Sequence, residues 1–270
     1  MLSVVAPALG WWLRWLYSVV FILNGIRTMK NLLNIKVPKN NSAAMQLIQL
    51  YAQSGHVFWT AGEIERHKLR RFLPKLAGFR IDRDATGRTY DKTKGVASCH
   101  LVVLPMPEPA QQMLAWVLVS TSGKSGLADP DSPKLGPVSD TRLRGQHLRW
   151  KHYELLHAEK KIEVYGEHGK KTIRDTTWTW RMTAQRYREH EAFIVDRVRH
   201  RDANGVNSEL QALAMMPMFS GIRGQRLKLF MEAKKLADKF GLAIAPVPEL
   251  PFMTKQPIYT EPPGTLFELV

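Results

Sequence analysis

Thr176–Arg188 reads TTWTWRMTAQRYR. Trp178, Trp180 and Met182 alternate with Thr177, Thr179 and Arg181, a period of two in aromatic and β-branched residues. That pattern predicts a strand with its tryptophan side on a core and its Thr/Arg side in water. Thr183 then offers a hydroxyl to cap a helix that opens with Arg186 and Arg188. A wet Thr/Arg strand face running into a basic helix suits a polyanion.

Downstream, the spacing predicts helices over Ala184–Arg201, after Asn207 or Ser208, and over Gly221–Phe240, the last ended by Gly241. Upstream, Leu148–Val164 and Thr172–Met182 form a long hairpin around Tyr165–Gly169. Asn41–Ser54 reads as a helix with Met45, Ile48 and Tyr51 on one face, Asn41 or Ser42 as cap and Gly55 as its end. Thr60-Ala-Gly-Glu63 matches a capping box, announcing a second helix to Leu73 that carries Arg66, Arg70 and Arg71. Phe79–Arg83 and Val96–Pro105 read as strands flanking the loop Asp84–Arg88. Two helices and a β-ribbon would suit a winged-helix module. His100–Pro105 and Ala115–Thr121 are apolar enough for central strands, and Ser122–Asp140 is a Gly/Pro/Ser loop or a boundary.

The expected fold is therefore α+β: an antiparallel sheet with amphipathic basic helices and a winged-helix-like N-terminal part. It divides into an apolar segment 1–28, a basic part 29–121, the loop 122–140, a hairpin-and-helix part 141–245 and a Pro-rich tail 246–270.

Lys and Arg number 39 against 24 Asp and Glu, for a net charge of +15. Such an excess favours nucleic acid as partner, or an anionic membrane. Residues 61–100 and 141–181 each contribute +5, so the charge gathers only in three dimensions. Cys99 is the single cysteine, which excludes an internal disulfide and any zinc site built on several cysteines, and fits a reducing cytoplasm. Leu2–Ile26 carries one charge, Arg14; it is long enough to span a bilayer, while Met29 opens an ordinary cytoplasmic start. Membrane contact therefore requires that residues 1–26 be translated.

No reaction signature emerges. Thr121-Ser-Gly-Lys-Ser125 lacks the first glycine of a phosphate-binding loop, Leu118 standing there. The nine histidines include no His-x-His, and His190 and His200 read as part of a solvated basic helix beside Glu191 and Asp196. A metal-independent nuclease needs only an acid/base and a phosphate-stabilising cation, for which Tyr187, Arg186 and Arg181 are available. Ser220 and Gly221 open the last helix near Arg223 and Arg226, a possible phosphate clamp. Tyr153, Trp178, Trp180 and Tyr187 would stack bases in a single-strand groove, unless the tryptophans pack into the core.

Phe58-Trp-Thr-Ala-Gly62, His100–Pro105, Trp116–Thr121, Trp178–Thr183 and Phe219–Gln225 together resemble uncharacterised proteins of bacterial plasmids and integrative conjugative elements. The resemblance spans roughly residues 55–230 as an ordered series of short motifs. It implies a mobile-element setting and transfers no catalytic residue. The resulting expectation is a cytoplasmic protein binding DNA or RNA, without cofactor or metal, in maintenance, transfer or replication. Its contacts would be Arg66, Arg70, Arg71, Arg181, Arg186, Arg188, Arg223 and Arg226. The alternatives are the metal-independent nuclease and a membrane-anchored component of a transfer apparatus.

Overall fold

The computed structural model describes residues 31–81, 83–107, 110, 112–166, 169–246, 250 and 256–269, with side chains described outside 160–175. The apolar segment Leu2–Ile26 lies outside the described residues. Among those described, helix and antiparallel sheet mix in one α+β chain of two compact units. No described helix is long and apolar enough to cross a membrane.

The second unit, residues 40–59 and 139–258, contains the quoted stretch. A three-stranded sheet runs in the order β5-β6-β7; these strands are Leu148–Trp150, Tyr153–Gly166 and Gly169–Met182. The hairpin is in register from Tyr153 opposite Met182 to Gly166 opposite Gly169. Leu148, Trp150, Leu155, Trp178, Trp180 and Met182 share one face of this sheet and are all buried. Helix α1 (Asn41–Gln53) packs on β7, and its Met45 and Ile48 are fully buried. The indole N–H of Trp180 donates to Met45 O at 2.9 Å, and that of Trp150 to Asn41 Oδ1 at 2.8 Å. Both polar tips are thereby satisfied inside the core. The α1 cap is Asn40, one residue before the expected Asn41, and Gly55 takes a left-handed φ of 87° after the helix.

Thr183 caps α4 (Ala184–Arg199) by accepting from Arg186 N. Asp202 caps α5 (Ala203–Ala214), which begins five or six residues ahead of the helix expected after Asn207 or Ser208. The last helix, α6, runs Ser220–Lys239. These three helices bury Ile194, Val198, Val206, Leu210, Leu213, Leu229, Phe230 and Ala233 around Met182. Burial of that apolar area is the main favourable term of the unit.

The start of α6 closes the outer edge of β7. Gln225 accepts from Met182 N at 2.6 Å and donates to Met182 O at 3.2 Å, as a neighbouring strand would. Thr179 Oγ1 accepts from Gly221 N at 3.0 Å and bonds Ser220 Oγ at 2.8 Å. A Cβ on Gly221 would fall 2.5 Å from Trp180 O. So Thr179, expected in water, is buried.

The first unit comprises the described parts of 1–39 and 259–270 with 60–138. Strands β2 (Cys99–Pro105) and β3 (Met113–Ser120) pair antiparallel, and β3 adjoins β1 (Phe58–Glu65). β1 begins in the second unit, where Phe58 and Trp59 pair with Asp140 and Ser139 of β4 (Ser139–Asp140). The capping-box reading of Thr60–Glu63 is therefore wrong. Thr60 is buried in a strand, and Gly62 lets the Trp116 ring come within 3.1 Å of where a Cβ would sit. Long-range pairing overrode a local signal.

Helical structure starts only at Arg66, as a 3-10 turn Arg66–Lys68, α2 (Leu69–Phe72) and a 3-10 segment Leu73–Phe79 broken by Pro74. The strand expected over Phe79–Arg83 does not begin at Phe79, which closes the 3-10 segment, and Arg80 ends that segment at φ 50°. Asp84 then caps α3 (Ala85–Thr93), where a loop was expected. The helix–helix–ribbon order of a winged helix thus becomes helix, strand, broken helix, helix, ribbon.

Three outcomes follow from the packing. Gly221→Ala should lower unfolding free energy by about 1–3 kcal/mol in a denaturant titration, because the strand carbonyl cannot yield. Gly224→Ala, with nothing within 4 Å, should be neutral or stabilising by about 0.5–1 kcal/mol. Cys99, buried and pushed up to about 12 by desolvation, should resist thiol reagents at neutral pH until the chain is unfolded.

Candidate nucleic-acid interface

The eight arginines expected to contact nucleic acid do different work. Arg226 is buried on α6, where its guanidinium donates to Ala214 O at 2.6 Å and Met216 O at 3.2 Å. Those carbonyls belong to the end of α5 and the turn after it, so Arg226 satisfies helix-end acceptors. Burial pulls its pKa below the ordinary value. Arg223 donates Nε to Leu250 O at 2.9 Å. Arg66, in the first unit, donates to Glu268 O and Leu269 O.

The phosphate clamp at the start of α6 is likewise corrected. Ser220 is not its cap but its first residue, after Phe219, and the Gly221 N–H is already taken by Thr179. Phe219 is buried. Trp178 and Trp180 are buried too, so neither presents a base-stacking face.

Arg181 is held differently. It lies opposite Glu154 in register, and Arg149 of β5 lies opposite Glu154 from the other side. Glu154 Oε1 accepts from Arg181 Nε at 2.6 Å; the carboxylate is almost buried, whereas the Arg181 side chain keeps 44% of its exposure. Arg149 is exposed. Two arginines thus flank one carboxylate along a single cross-strand row, and the bond to it is Arg181's. On α4, Arg186 pairs with Glu189 at 3.1 Å, which holds the Glu189 carboxyl below its usual range. Arg188 is exposed and has no ion-pair or hydrogen-bond partner among the described residues.

A loop at the sheet edge carries further arginines. Thr141 N donates to Val57 O at 2.9 Å, Thr141 Oγ1 accepts from Leu148 N at 2.9 Å, and the buried Thr141 fixes the loop base. From it project Arg142, Leu143, Arg144, Gly145 and Gln146, all exposed. Sequence reading missed Arg142, Arg144 and Arg149, whose ladder position and turn geometry depend on the partner strand. The one local signal was Asp140 ahead of Gly145, a turn pattern just past the loop expected to end at Asp140.

In the first unit, Arg70, Arg71 and Lys75 are exposed around α2, without partners among the described residues. The buried carboxylate of Asp91 binds Arg80 at 3.0 Å and Arg83 at 3.2 Å. The Thr121–Ser125 loop cannot cradle a phosphate. Its Lys124 and Ser125 amides donate to Gly95 O and Asp129 Oδ2, and a Cβ at Gly123 would fall 2.7 Å from Gly95 O.

No group of three or more His, Cys, Asp or Glu forms a metal-ligand set among the described residues. His190 is not part of a solvated face: it is buried on α4 and hydrogen-bonds Glu209 of α5. Tyr187 packs against the three-helix core.

Arg226 and Arg188 should separate cleanly. Arg226→Ala should cost about 3 kcal/mol of stability by denaturant titration, because carbonyls lose a charged donor. Arg188→Ala should stay within about 0.5 kcal/mol of the parent. No protein-family model, curated protein or solved structure matches this chain.

Proposed function

We propose that the protein binds nucleic acid through phosphate contacts at the second unit's sheet edge and the start of α4. Arg149, Arg181 and Arg188 are the principal contacts, and Arg186 the weaker one. The observation that carries this reading is the Arg149–Glu154–Arg181 row. One nearly buried carboxylate orients Arg181 while leaving its outer N–H groups to solvent. A guanidinium fixed in advance loses less freedom when it binds a phosphate. The +15 net charge supports the same reading, since one carboxylate among several arginines leaves cation to spare. Arg70 and Arg71 of the first unit are a separate basic surface that can add phosphate contacts. A winged-helix use of residues 29–121 has less support, because β1 interrupts the helix pair.

The setting we propose is a cytoplasmic accessory role in maintenance, transfer or replication of a mobile element, on the motif resemblance given above. Contacts of this type position the protein on a backbone and read little sequence.

The test is a titration of the full chain against single- and double-stranded DNA and RNA over a range of salt. The logarithm of affinity should fall linearly with the logarithm of salt concentration. Arg149→Ala and Arg188→Ala should each reduce that slope by about 1, while Arg66→Ala should leave it unchanged. Unchanged slopes in both of the first two variants would remove the reading. Shortened probe would replace it with the metal-independent nuclease.

A further inference from the structure

The loop Asp140–Leu148 is stiffer than its exposure suggests. Asp140 N donates to Gln146 Oε1 at 3.0 Å, Leu143 N to Asp140 O at 3.0 Å, and Gln146 N to Leu143 O at 3.0 Å. The indole of Trp59 donates to Gln146 O at 2.9 Å, and Gly145 supplies the left-handed φ of 83° that the turn requires. Arg142 is clamped in its turn: Nε and Nη2 reach the two Asp140 oxygens at 3.0 and 2.6 Å. Its guanidinium carbon lies 5.6 Å from the Phe58 ring centroid. The bonds from Arg142 hold the Asp140 carboxyl below its usual range.

At the tip of this frame Leu143 is 51% exposed, with exposed Arg142 and Arg144 on either side. Leu143 is the one apolar side chain among the five exposed residues of this turn, and it stands between two guanidiniums. We propose that Leu143 is a wedge for duplex DNA: it enters a base step from the minor groove while Arg142 and Arg144 lie along the groove and its phosphates. The inference rests on the nucleic-acid-binding reading above and specifies its substrate.

The chemistry selects this partner over others. Minor-groove proteins combine arginine with an apolar wedge that unstacks one step and kinks the duplex. Single-strand platforms stack bases on aromatic rings, and leucine has no π face to offer. A lone leucine buries too little area to anchor a protein in a membrane. The loop base also lies beside the arginine row, for Thr141 Oγ1 donates to Leu155 O, one residue along β6 from Glu154.

The experiment uses the full chain with short duplexes carrying a donor and an acceptor dye at opposite ends. The parent protein should shorten the end-to-end distance, with a bend in the range of roughly 20–90° typical of wedge insertion. Leu143→Ala should still bind with a salt-dependent affinity but leave the duplex straight; Leu143→Met should restore the bend. Because Leu143 is exposed, neither variant threatens the fold. Binding without bending, or equal bending by Leu143→Ala, overturns the wedge and leaves the phosphate-binding reading standing. Binding confined to single strands, or Leu143-dependent capture by vesicles containing anionic lipid in place of bending, also overturns it. Failure to bind any nucleic acid overturns both.

Discussion

The second unit depends on how the free edge of β7 is closed. A strand edge exposes alternate N–H and C=O groups, and left open it pairs with other chains or is lost to water. Here a helix does the work of a strand. The Gln225 carboxamide satisfies both main-chain groups of Met182, Thr179 satisfies an orphan amide of α6, and Gly221 sits against Trp180 O. Neither end could be exchanged alone. The helix start needs the strand hydroxyl as a cap, since Phe219 supplies none. Once docked, α6 carries Leu229, Phe230 and Ala233 into the core shared with α4 and α5.

This arrangement decides which cations remain available. Arg226 and Arg223 stand on the docked helix and are consumed by main-chain carbonyls. Arg181 escapes because it points to the opposite face of the sheet from Trp180, where Glu154 steadies it without covering it. A strongly basic chain therefore has two populations of arginine. One population fastens helix ends and chain segments, and the other stands on the surface with its guanidinium open to solvent, whether beside a carboxylate, as Arg181 is, or without one, as Arg188 is. Only the second can exchange counterions for phosphates. His190 shows the same division, since the sequence places it on a basic helix but packing puts it inside with Glu209.

The sequence by itself determined the elements whose signals are local and repetitive. The Trp178–Met182 alternation, the Thr183 cap, the long hairpin, the apolar strands β2 and β3 and the terminal helix stand where period and capping chemistry put them. The burial of both tryptophans was also legible, because a period of two assigns a face without knowing what covers it. Tertiary structure alone decided the rest. Thr60–Glu63 carries a helix-start pattern worth about 1 kcal/mol, which strand pairing and the Trp116 contact easily exceed. Thr179 and Arg181 read alike as wet residues, yet α6 covers one and leaves the other. Arg149, Arg142 and Arg144 gain meaning only from a ladder position and a turn that distant residues fix. A periodic pattern records which side of an element is apolar; which charges stay free depends on what packs against it, and that is settled between residues far apart in the chain.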